Sequence, residues 1–127
     1  MKTIEVVCGI IQVDGKYFIA RRSGTVDQGY WEFPGGKVET NETKEQAIQR
    51  ELREELQIET NIIKELISID DVRLDRIIHV TAFLCELVSG TPTLSVHDAM
   101  NWVFASDLYN YPFQPADQPI LDALQKE

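Results

Sequence analysis

The chain has 127 residues, 43% hydrophobic and 26% charged, with 21 acidic against 12 basic side chains and a formal charge of −9. That length fits a single domain over residues 1–127 with one core, and the composition excludes a disordered or low-complexity chain. The acid excess argues against binding polymeric nucleic acid, which needs a basic face. No apolar run approaches the roughly 18 residues of a membrane span, and the start reads as a strand rather than a signal peptide, so a cytoplasmic protein is expected.

In chain order, Ile4 to Val13 is apolar and β-branched, a strand; Asp14-Gly15 is a turn signal, and Lys16 to Arg21 continues as the second arm of a hairpin. Ser23 to Gly29 is polar and reads as a loop. Trp31-Glu32-Phe33 is a short strand that stops at Pro34-Gly35-Gly36. Thr43 to Gln57 contains no Gly or Pro, and Ile48, Leu52 and Leu56 form one helical stripe. Thr43 with Gln46 has the form of a capping box. Asn61 to Ile69 and Arg76 to Val88 read as strands, Trp102 to Ala105 as a short strand, and Ser106 to Leu108 as a helical turn. Tyr109 to Pro115 is a Pro- and aromatic-rich loop, and Ala116 to Gln125 a terminal helix. Cys8 and Cys85, far apart in apolar segments, read as buried thiols rather than a disulfide or zinc site. The sum is a mixed α/β domain with a sheet between helices.

The chemistry is concentrated between Gly36 and Ile58. Glu51, Glu54 and Glu55 are spaced i, i+3, i+4 and share one helix face, where like charges repel. A glutamate-rich helix is usually a solvated face. Here, however, Glu51 and Glu55 flank the apolar stripe residues Leu52 and Leu56, and a Gly-Gly loop is expected to run straight into the helix. A hard divalent cation would neutralise such a cluster, and magnesium prefers carboxylate and phosphate oxygens.

The segment resembles the Nudix box: Gly36, five residues, Glu42, seven residues, then Arg50-Glu51-Leu52-Arg53-Glu54-Glu55-Leu56-Gln57-Ile58. Six near-fixed positions at about one in fifteen each give roughly 10⁻⁷ for a chance match per register. It departs once, with Gln57 where the family has Gly, which predicts a strained helix end rather than a lost activity. The resemblance implies a Nudix α/β/α sandwich with a mixed central sheet and a loop-helix-loop box. It implies magnesium, with manganese as a substitute, held by Glu51, Glu54, Glu55 and the Gly36 carbonyl. Arg50 would orient the glutamates and Glu42 would support it, each with a structural ion pair as the competing role; Lys37 would meet a phosphate, unless it is simply a solvated lysine.

Beyond the box, Gly9-Ile10-Ile11, Arg21-Arg22, Trp31 to Gly36, Asp75-Arg76-Ile77 and Pro115-Ala116-Asp117-Gln118-Pro119-Ile120 resemble the MutT-like branch, and within it the CTP pyrophosphohydrolases. That implies hydrolysis of a nucleoside triphosphate to the monophosphate and pyrophosphate. Asp117 falls where relatives selective for oxidised guanine carry Asn. An ionised Asp only accepts hydrogen bonds, which suits the amino group of cytosine and, next, adenine. A cap on the last helix is its competing role. Arg22, Phe33 and Ile4 would line the base pocket, with Phe33 as plain core the alternative. Val96 stands where some relatives carry a Glu, with His97, read as a surface-loop residue, and Asp98 beside it; the general base is then His97, Asp98 or, as the favoured reading, a box glutamate such as Glu54. Other readings are an 8-oxo-dGTP diphosphatase, a dinucleoside or sugar-nucleotide hydrolase, and a non-catalytic nucleotide-binding domain, which would be expected to lose the glutamates.

Overall fold

Apolar and β-branched residues make Lys2–Val13 a long strand (β1), which Asp14-Gly15 turns back into Lys16–Arg22 (β2). Both turn residues have positive φ, 52° and 76°, the hairpin geometry whose twist matches its strands. The computed structural model describes residues 1–23 and 29–127, so most of the loop expected at Ser23 to Gly29 lies outside the described residues.

β1 and β2 pair only next to their turn, at Gln12 with Tyr17 and Val13 with Lys16. They then part, and two short strands occupy the fork. Trp31–Glu32 (β3) lies against Ala20 and Arg21 of β2, and Gly35–Lys37 (β4) lies against Val6, Val7 and Cys8 of β1. Gly35-Gly36 is therefore paired backbone, not the loop expected from its glycines. Glu59–Val72 (β5) and Arg76–Ser89 (β6) form a long antiparallel pair, and β6 runs parallel to β1 from Lys2–Arg76 to Gln12–Glu86. His97–Val103 (β7) closes the far edge of β2. The sheet is mixed, as the resemblance implied.

One face carries the helix Lys44–Leu56 (α1). Thr43 Oγ1 accepts from the Gln46 amide at 3.1 Å and Gln46 Oε1 from the Thr43 amide at 2.9 Å, completing the expected box. Ala47, Ile48, Leu52 and Leu56 pack on Val7, Ile11, Phe18 and Phe83. Burying each large aliphatic side chain contributes about 1.5–3 kcal/mol, so the stripe at four-residue spacing fixes which way the polar face of α1 points. The other face is covered by Gln118–Leu124 (α2), whose Ile120, Leu121 and Leu124 join Cys8, Ile10, Ile19 and Leu84. Helix, sheet, helix is the layering observed.

The differences lie at element ends. β7 starts at His97, five residues before the expected Trp102, because pairing with β2 recruits residues whose burial does not alternate. β5 runs past both expected ends. The terminal helix splits into a 3-10 turn, Pro115–Asp117, and α2, and the Ser106 to Leu108 turn extends to a 3-10 helix over Ala105–Asn110. Cys8 and Cys85 are buried and unbridged; burial pushes the Cys85 thiol up to about 12 and raises that of Cys8 further. Among the described residues no helix is long and apolar enough to cross a membrane.

Gln57 ends α1 in the left-handed region, φ 59° and ψ 41°, its amide donating to the Arg53 carbonyl at 3.0 Å. A side chain there costs about 1 kcal/mol. Gln57→Gly should therefore raise the thermal midpoint by about 3 °C without changing turnover; an unchanged midpoint would mean that the turn is unstrained.

Candidate active site

The capped, one-sided packing of α1 sets its acidic face beside β4. Arg50, with only 17% of its side chain exposed, is the hub. Its Nε donates to Glu42 Oε2 at 2.6 Å, Nη2 to Glu42 Oε1 at 3.0 Å and to the Lys37 carbonyl at 3.1 Å, and Nη1 to Glu51 at 2.9 Å and Glu54 at 3.1 Å. The paired guanidinium holds the Glu42 carboxyl below its ordinary range. Glu42 also accepts from the Glu39 amide at 2.9 Å, which binds the approach to the helix. Arg50 thus ties β4, the connection and α1 together.

Gly36 lies directly under this face. A Cβ placed on it would come within 2.6 Å of the Glu51 carboxylate, so only glycine leaves room for that side chain against the β4 backbone. Glu51 and Glu55 are 14% and 13% exposed, whereas Glu54 is 60% exposed. Glu55 is the anomaly. Its Oε2 is buried without a hydrogen-bond partner among the described residues, and its Oε1 lies 3.8 Å from Arg22. Burial pushes its carboxyl up to about 7, against the pull of Arg22 and His97.

These features fit a divalent cation. An orphaned buried carboxylate oxygen, a second carboxylate against a bare glycine and a third more exposed above them form an all-oxygen donor set suited to a hard ion. Among the described residues no three acidic, imidazole or thiol groups converge closely enough to hold a metal as they stand; Arg50 engages Glu51 and Glu54.

Where β3 and β4 sit in the fork between β1 and β2, an adjoining cleft of about 480 Å³ is lined by Val6, Val7, Cys8, Arg22, Glu32, Phe33, Gly35, Gly36, Lys37, Val80 and Asp117. Arg22, Phe33, Lys37 and Asp117 therefore meet in one place next to the box, although 95 residues separate Arg22 from Asp117 in sequence. Phe33 is both wall and core: it is buried and its ring centroid lies 5.3 Å from that of Phe113. Asp117 stands at the N-cap position of α2, as its alternative role required, but its side chain makes no capping bond there. Ile4 is not part of the lining; two residues further along the same face of β1, Val6 takes its place, opposite Val80 of β6.

The sequence reading missed Glu32 and misplaced His97. His97 is not a surface-loop residue but is buried in β7, with its side chain fully covered. Its Nε2 lies 2.9 Å from Glu32 Oε2, the oxygen that also accepts from Arg22 Nη2 at 2.9 Å. Burial opposes the charge on Glu32, but the bonds from His97 and Arg22 outweigh it and lower its pKa. His97 Nδ1 has no partner among the described residues, a defect that costs about 1–3 kcal/mol. Asp98 instead pairs outward with Arg21 at 2.8 Å. The Val96 carbonyl accepts from both the amide and the hydroxyl of Ser23. The useful signal for Glu32 was an acidic residue between Trp31 and Phe33, an unusual setting for a charge.

Glu55 also predicts a pH effect. The folded carboxyl holds its proton up to about pH 7, whereas the unfolded one releases it near 4.5. In that window the folded state binds more protons, so the metal-free protein loses stability as pH rises from 5 to 8, by up to about 3 kcal/mol. Thermal unfolding in a chelator should show the slope; its persistence in Glu55→Gln would rule out Glu55 as the source.

Comparison with known proteins agrees with this geometry. The NUDIX domain family matches residues 1–124. The chain is 44% identical to the CTP pyrophosphohydrolase of Escherichia coli K12 over 124 residues, 97% of this chain and 92% of that one. It is 32% identical to the 8-oxo-dGTP diphosphatase of the same strain, over 99% of each. The solution structure of the E. coli ORF135 protein superposes with a TM-score of 0.88 at 43% identity, covering 99% of this chain and 91% of that one. The crystal structure of a MutT NUDIX hydrolase from Burkholderia pseudomallei gives 0.86 at 26% identity, covering 97% and 98%. The chain, with its capped acidic helix against a glycine strand and a fork-shaped cleft beside it, belongs to the Nudix family of hydrolases.

Proposed function

We propose that the protein is a magnesium-dependent nucleoside triphosphate pyrophosphohydrolase that takes cytidine or modified pyrimidine nucleotides by preference. Nudix hydrolases generally use a divalent cation, and the oxygen-only donor set favours magnesium, with manganese as the substitute. Glu51, Glu54, Glu55 and the Gly36 carbonyl would hold it, and Arg50, fixed by Glu42, sets the glutamates. When bound, the cation supplies neutralisation of the polyphosphate and polarisation of the attacked phosphorus and of the water.

The remaining work falls to the chain itself. Lys37 and Arg22 line the end of the cleft next to the box and draw the phosphates in, while Val6, Phe33 and Val80 offer an apolar surface for the base. Overall, water adds across the α–β phosphoanhydride, which parts into nucleoside monophosphate and pyrophosphate. Such chemistry is mostly positioning and charge stabilisation. The observation that carries the base preference is the place of Asp117 in the wall of the cleft, an acceptor where an amino-bearing base would be read. The similarity to a CTP pyrophosphohydrolase supports it. The similarity to 8-oxo-dGTP diphosphatases favours a second reading, cleansing of oxidised guanine nucleotides, for which Asp117 would have to carry a proton.

The test is pyrophosphate release from CTP, dCTP, 5-methyl-dCTP, 8-oxo-dGTP, dATP and ADP-ribose, with and without magnesium, for wild type, Glu54→Gln and Asp117→Asn. We expect cytidine nucleotides to lead, Glu54→Gln to lose at least about a hundredfold, near 3 kcal/mol, and Asp117→Asn to shift preference towards 8-oxo-dGTP. Turnover of 8-oxo-dGTP alone by wild type would keep the hydrolase and overturn the base assignment. Nucleotide binding without turnover would make the protein a binding module.

A further inference from the structure

We infer that His97 is a positioning residue for the cleft arginine Arg22, acting through Glu32. Three strands meet at this point. Arg22 ends β2; Glu32 sits in β3 on one edge of β2, and His97 opens β7 on the other. Along β7 the pairing runs regularly until Arg21, opposite Ala99, and then skips Asp98, so that Arg22 faces His97. Residues opposite each other in an antiparallel pair point to the same face. Without that bulge Arg22 would face Asp98; with it, the imidazole comes round under the arginine and Asp98 turns out to Arg21.

The result is a braced side chain. Glu32 Oε2 is shared at 2.9 Å by His97 Nε2 and Arg22 Nη2, and Arg22 Nε lies 3.2 Å from both Glu32 oxygens. The guanidinium is thereby held with Glu32 on one side and Glu55 on the other, in the wall of the cleft. His97 fixes the rotamer of Glu32 from behind and never meets the cleft itself. Packing alone does not explain an imidazole here: its side chain is fully buried and its Nδ1 has no partner, where a phenyl ring or leucine would leave nothing unsatisfied. What the imidazole adds is one N–H aimed at Glu32. A preset arginine meets an incoming phosphate or base without first being ordered, a gain in substrate binding rather than in the chemical step.

The inference rests on the reading of the cleft as the nucleotide site. It is tested by a double-mutant cycle on CTP hydrolysis with magnesium, using His97→Phe, Arg22→Ala and the pair, with thermal midpoints for each. His97→Phe should raise KM about tenfold and change kcat less than threefold. In the Arg22→Ala background it should have no further effect. His97→Gln, which returns an N–H near the Nε2 position, should recover most of the lost KM. If His97→Phe unfolds at the assay temperature, Glu32→Gln takes its place in the cycle with the same expectation. Multiplying effects in the pair, or a fall in kcat at constant KM, would overturn the inference while leaving the hydrolase intact. Wild-type protein that neither turns over nor binds CTP would overturn both.

Discussion

Glu55→Gln is expected to abolish turnover while making the metal-free protein more stable at pH 8. The two effects share one cause. A carboxylate 13% exposed, with one oxygen buried and unpartnered, holds its negative charge against the protein's own interest, and burial pushes its pKa up to about 7. The neutral amide relieves that strain but offers a divalent ion one weak oxygen in place of a charged pair. Loss of such a ligand should lower kcat/KM by a factor on the order of 10³, near 4 kcal/mol. Function kept at a cost to stability, the cost relieved by one neutral substitution, is the usual mark of a working site. Steady-state kinetics and thermal unfolding of the same variant decide it. An active variant would mean that Glu55 is not needed for turnover, and one both inactive and less stable that Glu55 serves the fold.

The largest effect on folding is expected at Gly35. A Cβ there would sit 1.9 Å from the Val7 carbonyl oxygen and 2.7 Å from the Cys8 Cα, both backbone atoms of β1. No rotamer change can relieve this, so β4 would have to leave the sheet and take the Gly36 and Lys37 wall of the cleft with it. Gly35→Ala should cost at least about 4 kcal/mol, outside the common range for single substitutions, and lower the thermal midpoint by more than about 10 °C. Gly15→Ala is the control: φ is 76° but the space is open, so only the left-handed penalty of about 1–2 kcal/mol applies. Equal losses in the two variants would show that close approach of β4 to β1 is not what Gly35 provides.

The legible parts of the sequence were those governed by local rules. The stripe Ile48, Leu52, Leu56, the Thr43–Gln46 cap and the Asp14-Gly15 turn each depend on neighbours a few residues away, and each stands where it was expected. The box residues followed because their spacing is itself local. What escaped was decided by strand pairing across the chain. β4 exists because Gly35 to Lys37 find an open edge of β1, and His97 is buried because β2 supplies a partner for residues with no alternating pattern. Asp117, in a 3-10 turn, and Arg22, at the end of β2, share a cleft that no periodicity reports; the family resemblance alone led to it. Ile4 was placed on the correct face and one step too far out, where β1 has already run past the cleft.

The parallel pairing of β1 with β6 has a consequence for how this chain is made. β1 leaves the ribosome well before β6, and its hairpin with β2 can close at once. Its long partner begins only at Arg76, opposite Lys2. Until that segment emerges, Val6 to Ile11, which end up buried or nearly so at the centre of the sheet, have an unsatisfied edge. At about 5–20 residues per second the wait is several seconds. The nascent chain passes through that interval with its future core exposed, so folding is limited by the delivery of a distant strand, and conditions that stall synthesis in β5 should send it to aggregation.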